Sequence, residues 1–122
     1  MGPKKKGENK SCKLFIMTSD VTHQKTVDFF KKKKYFGLSQ KDICFFKQAS
    51  LPILNFEGKF IFESKHSLSI GPNGNGALFE ALQNNKELFN IIDKNGIEYI
   101  HMVGIDNVLN KLLDPFFIGF AI

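Results

Sequence analysis

The seven residues 71–77 hold three glycines, one proline and two asparagines, in the order Gly-Pro-Asn-Gly-Asn-Gly-Ala. Such a stretch does not continue a helix or a strand, and its backbone is able to approach a ligand closely. A helical pattern follows, so free N–H groups and the positive end of a helix dipole would face a nucleotide or a phosphate. Asn75 both donates and accepts hydrogen bonds, which suits a sugar or an amide better than a bare phosphate.

Three groups in and near this glycine-rich loop have the chemistry that a nucleotide-sugar site needs. The carboxamide of Gln48 is suited to reading a base edge, and the backbone at Gly74 is suited to a close approach to the base or the sugar. Asn75 is suited to sugar hydroxyls or an N-acetyl group. Two structural alternatives stay open, in which Gln48 braces its own loop and Asn75 is a turn residue that tolerates positive φ.

Asp106 and Asn107 come directly after a predicted strand. Mg²⁺ binds one or two carboxylates together with phosphate oxygens, so Asp106 is the candidate metal ligand and catalytic residue. Asn107, next to it, is a candidate substrate-binding residue. The alternative for Asp106 is a helix N-cap for residues 108–113.

No other arrangement in the sequence predicts a catalytic group. The histidines, His23, His66 and His101, lack the mutual spacing of a metal site, and His101 is interpreted as a satisfied structural residue. No nucleophile lies in a Ser/His/Asp or Cys/His pattern, and no carboxylate pair predicts hydrolysis. Any chemistry would therefore depend on positioning and electrostatics, as in phosphoryl and nucleotidyl transfer.

Composition narrows the possible partners and the compartment. The net charge of the 122 residues is +5, and all seventeen basic residues are lysine. Because nucleic-acid readers depend on arginine, we expect no nucleic-acid binding, and no apolar run is long enough to cross a membrane. Cys12 and Cys44 are interpreted as reduced thiols, so a cytoplasmic location is expected.

The elements predicted around these residues alternate between buried strands and helices. Residues 1–12 are expected to be a disordered basic tail. Strands are predicted at 13–17, 43–46 and 97–103, a hairpin at 53–62 with its turn at Glu57-Gly58, and helices after residue 19, after residue 77 and at 87–94. This order predicts an α/β fold with a mostly parallel sheet covered on both faces. The strand ends would bring residues 18–19, 47–48 and 106–107 to one edge.

Six ordered motifs resemble the central part of the eukaryotic UDP-N-acetylglucosamine pyrophosphorylases, over about residues 16–122. They are Ile-Met-Thr-Ser at 16–19, Tyr-Phe-Gly-Leu at 35–38, Phe-Phe-Lys-Gln at 45–48, Pro-Asn-Gly-Asn-Gly at 72–76, Asp-Asn-Val-Leu at 106–109 and Asp-Pro at 114–115. The resemblance implies a three-layer nucleotidyltransferase fold, Rossmann-like and similar to glycosyltransferase A, with a mixed, mostly parallel sheet. Residues 13–122 would then be the central part of an incomplete catalytic domain.

The resemblance also implies a reaction. UTP and N-acetylglucosamine 1-phosphate would give UDP-N-acetylglucosamine and pyrophosphate with Mg²⁺ or Mn²⁺, without a covalent enzyme intermediate. Gln48 and the Gly74 backbone would read uracil, Asn75 would hold the amino sugar, and Asp106 would lie at the diphosphate and help to hold the metal. The family's triphosphate-binding loop has no match in this sequence, so we expect these residues alone to bind UDP-sugar weakly or not at all, and not to catalyse.

Departures from the family pattern leave alternatives open. Relatives commonly have Gln where this chain has Lys47, Gly where it has Ala49, Asp where it has Asn73 and Gly where it has Ala77. All four positions are next to the proposed contacts. One alternative is a sister enzyme acting on glucose or galactose 1-phosphate, in which similar loops carry His in place of Asn75. The others are a non-catalytic nucleotide-sugar binding protein and a domain that binds a protein through its apolar C-terminal residues.

Overall fold

The computed structural model describes residues 12–122, so the tail predicted for residues 1–12 lies almost wholly outside the described residues. Its first element is a parallel pair of strands, β1 (Leu14–Thr18) and β2 (Ile43–Lys47). The strands pair in register from Leu14 opposite Ile43 to Thr18 opposite Lys47. Both strands are continuous apolar runs, as expected of strands covered on both faces, and both predictions are confirmed.

Helix α1 (Asp20–Lys32) forms the crossover between these strands. Ser19 caps it: its side chain accepts from the Thr22 amide at 3.2 Å, while the Thr22 hydroxyl accepts from the Ser19 amide at 3.0 Å. The helix packs on the sheet through Phe30, whose ring meets that of Phe45 edge-on with centroids 5.2 Å apart. Short 3₁₀ turns at Lys34–Gly37 and Gln40–Asp42 then lead into β2.

The middle of the chain is built from short antiparallel strands. Strand β3 (Ser50–Pro52) pairs with β6 (Ile70–Pro72), and β4 (Phe62–Ser64) pairs with β5 (Ser67–Leu68). The predicted hairpin turn is confirmed, since the Asn55 side chain accepts from the Lys59 amide at 2.9 Å and Leu54 bridges Phe60. Its arms, however, are a single bridge rather than two full strands.

Two helices follow the glycine-rich loop, as predicted. Helix α2 (Ala77–Asn84) meets α3 (Lys86–Lys94) at Asn85, whose side chain accepts from the Leu88 amide at 3.2 Å and caps α3. A last helix, α4 (Pro115–Ala121), begins after Asp114. The buried apolar side chains of the described residues are Ile43, Phe46, Ala77 and Leu88.

The prediction of a strand at residues 97–103 is wrong, because no backbone pairing occurs there. A strand needs a neighbour that takes its hydrogen bonds, and no segment among residues 12–122 pairs its backbone with this one. Residues 108–113 form turns and no helix. The described residues thus combine one parallel with two antiparallel pairs and four helices. None of those helices has the length and apolarity to cross a membrane. The cytoplasmic location stays a prediction.

Candidate functional site

The loops that follow β1 and β2 are joined at the carboxyl edge of the parallel pair. The Gln48 amide donates to the Thr18 carbonyl at 2.8 Å. The buried Thr18 hydroxyl donates to the Phe46 carbonyl at 3.0 Å and lies 2.8 Å from Nδ1 of His23. The predicted proximity of these two strand ends is therefore confirmed.

Asp20 ties the first turn of α1 to the Gln48 loop, defined here as residues 47–50. One carboxylate oxygen accepts from Nζ of Lys47 at 3.0 Å, and the other accepts from the Ser50 hydroxyl at 3.2 Å. The hydrogen bond from Lys47, followed by that from Ser50, lowers the pKa of the Asp20 carboxyl below its ordinary value. Asp20 is therefore a charged anchor at this edge.

The glycine-rich loop reaches the same place through β3 and β6. Ser50 pairs with Pro72, and one residue further the Asn73 amide donates to the Ala49 carbonyl at 3.1 Å. The Asn73 side chain donates to Oε2 of Glu80 on α2 at 3.2 Å. The structure thus brings the Gln48 loop together with the loop that carries Gly74 and Asn75, as the sequence predicts.

Within the glycine-rich loop, the backbone turns sharply before α2 begins. Gly74 has φ of +87°, a conformation that side-chain-bearing residues rarely adopt, and open space where a Cβ would stand. Its carbonyl accepts from the Ala77 amide at 3.1 Å, and the Asn75 carbonyl accepts from the Leu78 amide at 3.2 Å. The amides of residues 74–76 donate to nothing within residues 12–122, so a ligand would find them free.

A cleft of about 530 Å³ opens between the Gln48 loop and the junction of α2 and α3. Its lining includes Gln48, Ala49, Glu80, Ala81, Asn84 and Asn85. The Oε1 atom of Gln48 is buried and accepts no hydrogen bond from any group in the described part of the chain. A buried acceptor left unpaired costs about 1–3 kcal/mol.

Sequence reasoning missed the contribution of the α2–α3 junction to this cleft. The signal present in the sequence was the pair Asn84-Asn85, which interrupts two helical patterns with two carboxamides. That pair predicts a helix end and a new N-cap, but it does not predict which loop the junction will face.

Asp106 and Asn107 lie in the turns between residues 105 and 109. No hydrogen bond in residues 12–122 joins either residue to Gln48 or to the glycine-rich loop. The Asn107 side chain accepts from the Leu109 amide at 3.1 Å and donates to Oδ1 of Asn110 at 3.2 Å, so Asn107 stabilises the turn, and Asp106 caps no helix because residues 108–113 form none. Because residues 97–103 are unpaired, the third strand that was expected to place this turn at the sheet edge is absent.

The carboxylate of Asp106 is exposed, and its Oδ1 lies against Gly104, only 2.8 Å from where a Cβ would stand. No three His, Cys, Asp or Glu side chains cluster as metal ligands among residues 12–122. One exposed carboxylate fits a Mg²⁺ or Mn²⁺ ion whose other ligands are water and phosphate oxygens, and does not fit an all-protein site. Asp106 thus suits the predicted type of metal contact.

The interpretation of His101 as a satisfied residue is wrong. Its Nδ1 is buried without a hydrogen-bond partner in the described part of the chain. The ring stacks on Phe117 of α4 with centroids 4.7 Å apart, so aromatic packing is what holds this histidine.

Known proteins are similar to this chain in sequence. A family model described as UTP--glucose-1-phosphate uridylyltransferase matches residues 4–122. The chain is 44% identical over 108 residues to UDP-N-acetylglucosamine diphosphorylase 2 of Arabidopsis thaliana. The matched residues cover 88% of this chain and 21% of the relative. It is also 44% identical over 109 residues to the UDP-N-acetylglucosamine pyrophosphorylase of Saccharomyces cerevisiae, covering 88% of this chain and 23% of that relative.

Solved structures agree with these matches. The UDP-N-acetylglucosamine pyrophosphorylase of Trypanosoma brucei, in complex with an inhibitor, superposes with a TM-score of 0.57 at 34% identity, over 70% of this chain and 18% of that chain. A structure from Entamoeba histolytica has a TM-score of 0.63 at 38% identity, over 70% of this chain and 21% of that chain. The likeness confirms the predicted α/β fold class. The chain spans about a fifth of the length of the curated relatives named above.

Proposed function

Because the chain belongs to the family described as UTP--glucose-1-phosphate uridylyltransferase, we propose that it supplies the base- and sugar-recognition part of a uridylyltransferase. The proposed reaction joins UTP and N-acetylglucosamine 1-phosphate to give UDP-N-acetylglucosamine and pyrophosphate. The names of the relatives from Arabidopsis and yeast support the amino sugar as substrate. Activity and substrates are proposed for the whole protein, since the chain spans about a fifth of those relatives.

The observation that carries the proposal is Gln48, which lines the cleft and whose buried Oε1 has no hydrogen-bond partner among residues 12–122. Uracil has an imide N–H donor next to carbonyl acceptors, and a carboxamide accepts from the first while donating to the second. The free amides of residues 74–76 lie on the adjoining loop, joined through the bond between Asn73 and Ala49. We therefore assign uracil recognition to Gln48 and the Gly74 backbone.

Asn75 is proposed to hold the sugar. Its side chain is exposed on the loop that carries Gly74, and a carboxamide there would both donate to and accept from hydroxyl and acetamido groups. A site that binds a polar substituent with its own polar group discriminates strongly between sugars. A sugar without the substituent leaves that group unpaired.

The phosphates are proposed to meet Asp106 and Asn107. Asp106 would hold Mg²⁺ or Mn²⁺, which when bound offsets the charge of the phosphate oxygens. An oxygen of the sugar phosphate attacks the α-phosphorus of UTP in line, and the bond from that phosphorus to the pyrophosphate oxygen breaks. The chain's own residues orient the two substrates, which is the main source of catalysis where no protein nucleophile takes part.

The proposal is tested by adding UDP-N-acetylglucosamine to the isotope-labelled 122-residue chain and following the amide resonances. We expect the shifts to concentrate in the Gln48 loop and at residues 74–76, and GDP-mannose to cause smaller ones. Shifts confined to the exposed apolar C-terminal residues, or equal shifts with both nucleotide sugars, would contradict it. A pyrophosphate-release assay on the same chain is expected to show no turnover, and clear turnover would refute the expectation that these residues do not catalyse alone.

A second candidate acts on glucose 1-phosphate, because the family description names that sugar. Comparing UDP-glucose with UDP-N-acetylglucosamine, with and without Asn75→Ala, separates the two. We expect the substitution to weaken the response to the acetamido sugar more than the response to glucose. An equal effect on both sugars would remove Asn75 from the discrimination.

A further inference from the structure

We propose that Asp20 is a positioning residue, which fixes the Gln48 loop and so sets the direction in which the Gln48 carboxamide faces the cleft. The inference rests on the proposed role of Gln48 in base recognition. Its basis is geometric, since the two oxygens of one carboxylate bind Lys47 at 3.0 Å and Ser50 at 3.2 Å. These partners stand immediately before Gln48 and two residues after it, so a single side chain braces both flanks.

The remaining contacts of the loop are made by its backbone. The Gln48 amide donates to Thr18, and the Ala49 carbonyl accepts from Asn73. These two bonds hold the middle of the loop between β1 and the glycine-rich loop. The ends of the loop are also strand residues, Lys47 opposite Thr18 and Ser50 opposite Pro72. The side-chain bonds of Asp20 add a contact at each end from α1, the element that neither backbone bond involves.

The free energy of unfolding distinguishes a positioning role of Asp20 from a stabilising role. The Asp20 and Lys47 side chains are 57% and 49% exposed, and ion pairs at such exposure add little to the free energy of unfolding. Removing the brace should therefore leave the fold nearly as stable, while the loop gains freedom around Gln48. A clear effect on the Gln48 carboxamide with only a small effect on the free energy of unfolding is what distinguishes the proposal.

The first experiment needs no ligand. Asp20→Asn in the 122-residue chain is compared with Asp28→Asn, which removes the same charge from the same helix and makes the acceptor of the bond from Gln24 neutral. We expect the side-chain amide resonances of Gln48 to shift and sharpen toward those of an unrestrained carboxamide in Asp20→Asn, and to stay in place in Asp28→Asn. Unchanged Gln48 resonances in Asp20→Asn would overturn the proposal.

Further variants keep the test decisive if Asp20→Asn disturbs the helix start. Lys47→Met and Ser50→Ala each remove one arm of the brace, and both are expected to move the Gln48 resonances in the same direction. Combining Lys47→Met with Asp20→Asn should add little to the single change, because both remove the same contact. Additive shifts, or no shift in either single variant, would refute the brace.

A ligand arm separates failure of this inference from failure of the proposed function. Uridine 5′-monophosphate and cytidine 5′-monophosphate are titrated into the native chain and Asp20→Asn. We expect uridine binding to weaken about two- to five-fold, the range that exposed ion pairs produce, and cytidine binding to change less. If the ligand-free shifts appear but neither nucleotide perturbs Gln48, the brace stands and base recognition fails.

Discussion

The backbone amide of Asn73 donates to the carbonyl oxygen of Ala49 at 3.1 Å, and this bond joins the glycine-rich loop to the Gln48 loop. The two residues are far apart in the sequence, and the β3–β6 pairing brings them together. The Gln48 carboxamide and the free amides that follow Asn73 thereby come to the same edge. The proposed site depends on this junction more than on any single side chain.

Replacing Gln48 with Met should separate stability from recognition. Met has a similar length and no acceptor, so the variant loses the unpaired buried Oε1, and its free energy of unfolding should stay equal or rise by about 1 kcal/mol. The response of the Gln48 loop to uridine 5′-monophosphate should disappear. Urea unfolding and amide shifts measure the two effects, with the exposed Gln83→Met as control. A variant that is clearly less stable would show that Gln48 braces its own loop instead.

Gly74 and Gly76 lie in the same loop, so substitutions at these two positions can be compared directly. Gly74 has φ of +87°, so Gly74→Ala should cost about 1 kcal/mol of unfolding free energy although the space around it is open. Gly76 has φ of −63° and equally open surroundings, so Gly76→Ala should change stability by less than about 0.5 kcal/mol. Chemical denaturation of both variants tests this. Equal losses would mean that the loop does not require the positive φ.

Asn73→Asp introduces the residue that the resemblance leads us to expect in relatives, but here it should destabilise the loop. The Asn73 side chain donates to Glu80 at 3.2 Å, and a carboxylate in its place would face another carboxylate. Since the pair is exposed, we expect a loss of about 0.5 kcal/mol. The double variant Asn73→Asp with Glu80→Lys should recover it in low salt. A single variant as stable as the native chain would show that the contact contributes nothing.

Local sequence signals predicted the elements whose hydrogen bonds are local. The start of α1 after residue 19, the end of α3 at Lys94 and the turn at Glu57-Gly58 each follow from the chemistry of a few neighbouring residues. The parallel pairing of β1 with β2 followed from two apolar runs joined by a helix. The structure agrees with all of these predictions.

Features that depend on distant partners were not predictable. Residues 97–103 have an apolar pattern typical of a strand, but a strand also needs a neighbour, and the pattern does not say whether one is present. The Asp20 brace joins residues from three different elements, and nothing in the local sequence pairs them. The same reason explains why the third strand expected before Asp106 is absent, while β2 is present and leads into Gln48.

Acid should weaken the Asp20 brace within a defined range of pH. Hydrogen bonds from Lys47 and then Ser50 lower the pKa of Asp20 below 3.8, its ordinary value. A depressed pKa in the folded state contributes stability above the unfolded-state pKa and loses it as the pH falls through the folded-state pKa. The difference in unfolding free energy between the native chain and Asp20→Asn should thus be constant from about pH 5 to 8 and shrink below about pH 4. A difference that changes near neutral pH would point to another group.

Gly104→Ala should displace the carboxylate of Asp106 and so test the proposed metal contact. A Cβ at this position would stand 2.8 Å from Oδ1 of Asp106, closer than real Cβ contacts allow, and the exposed side chain would have to rotate away. Addition of Mn²⁺ with UDP-N-acetylglucosamine should broaden the amide resonances of residues 104–107 in the native chain, because a paramagnetic ion relaxes nearby nuclei. Gly104→Ala and Asp106→Asn should both reduce this broadening, whereas Asp93→Asn, an exposed carboxylate on α3, should not. Broadening that persists in Asp106→Asn would exclude Asp106 as the ligand, because an amide oxygen without charge binds a divalent cation far more weakly than a carboxylate.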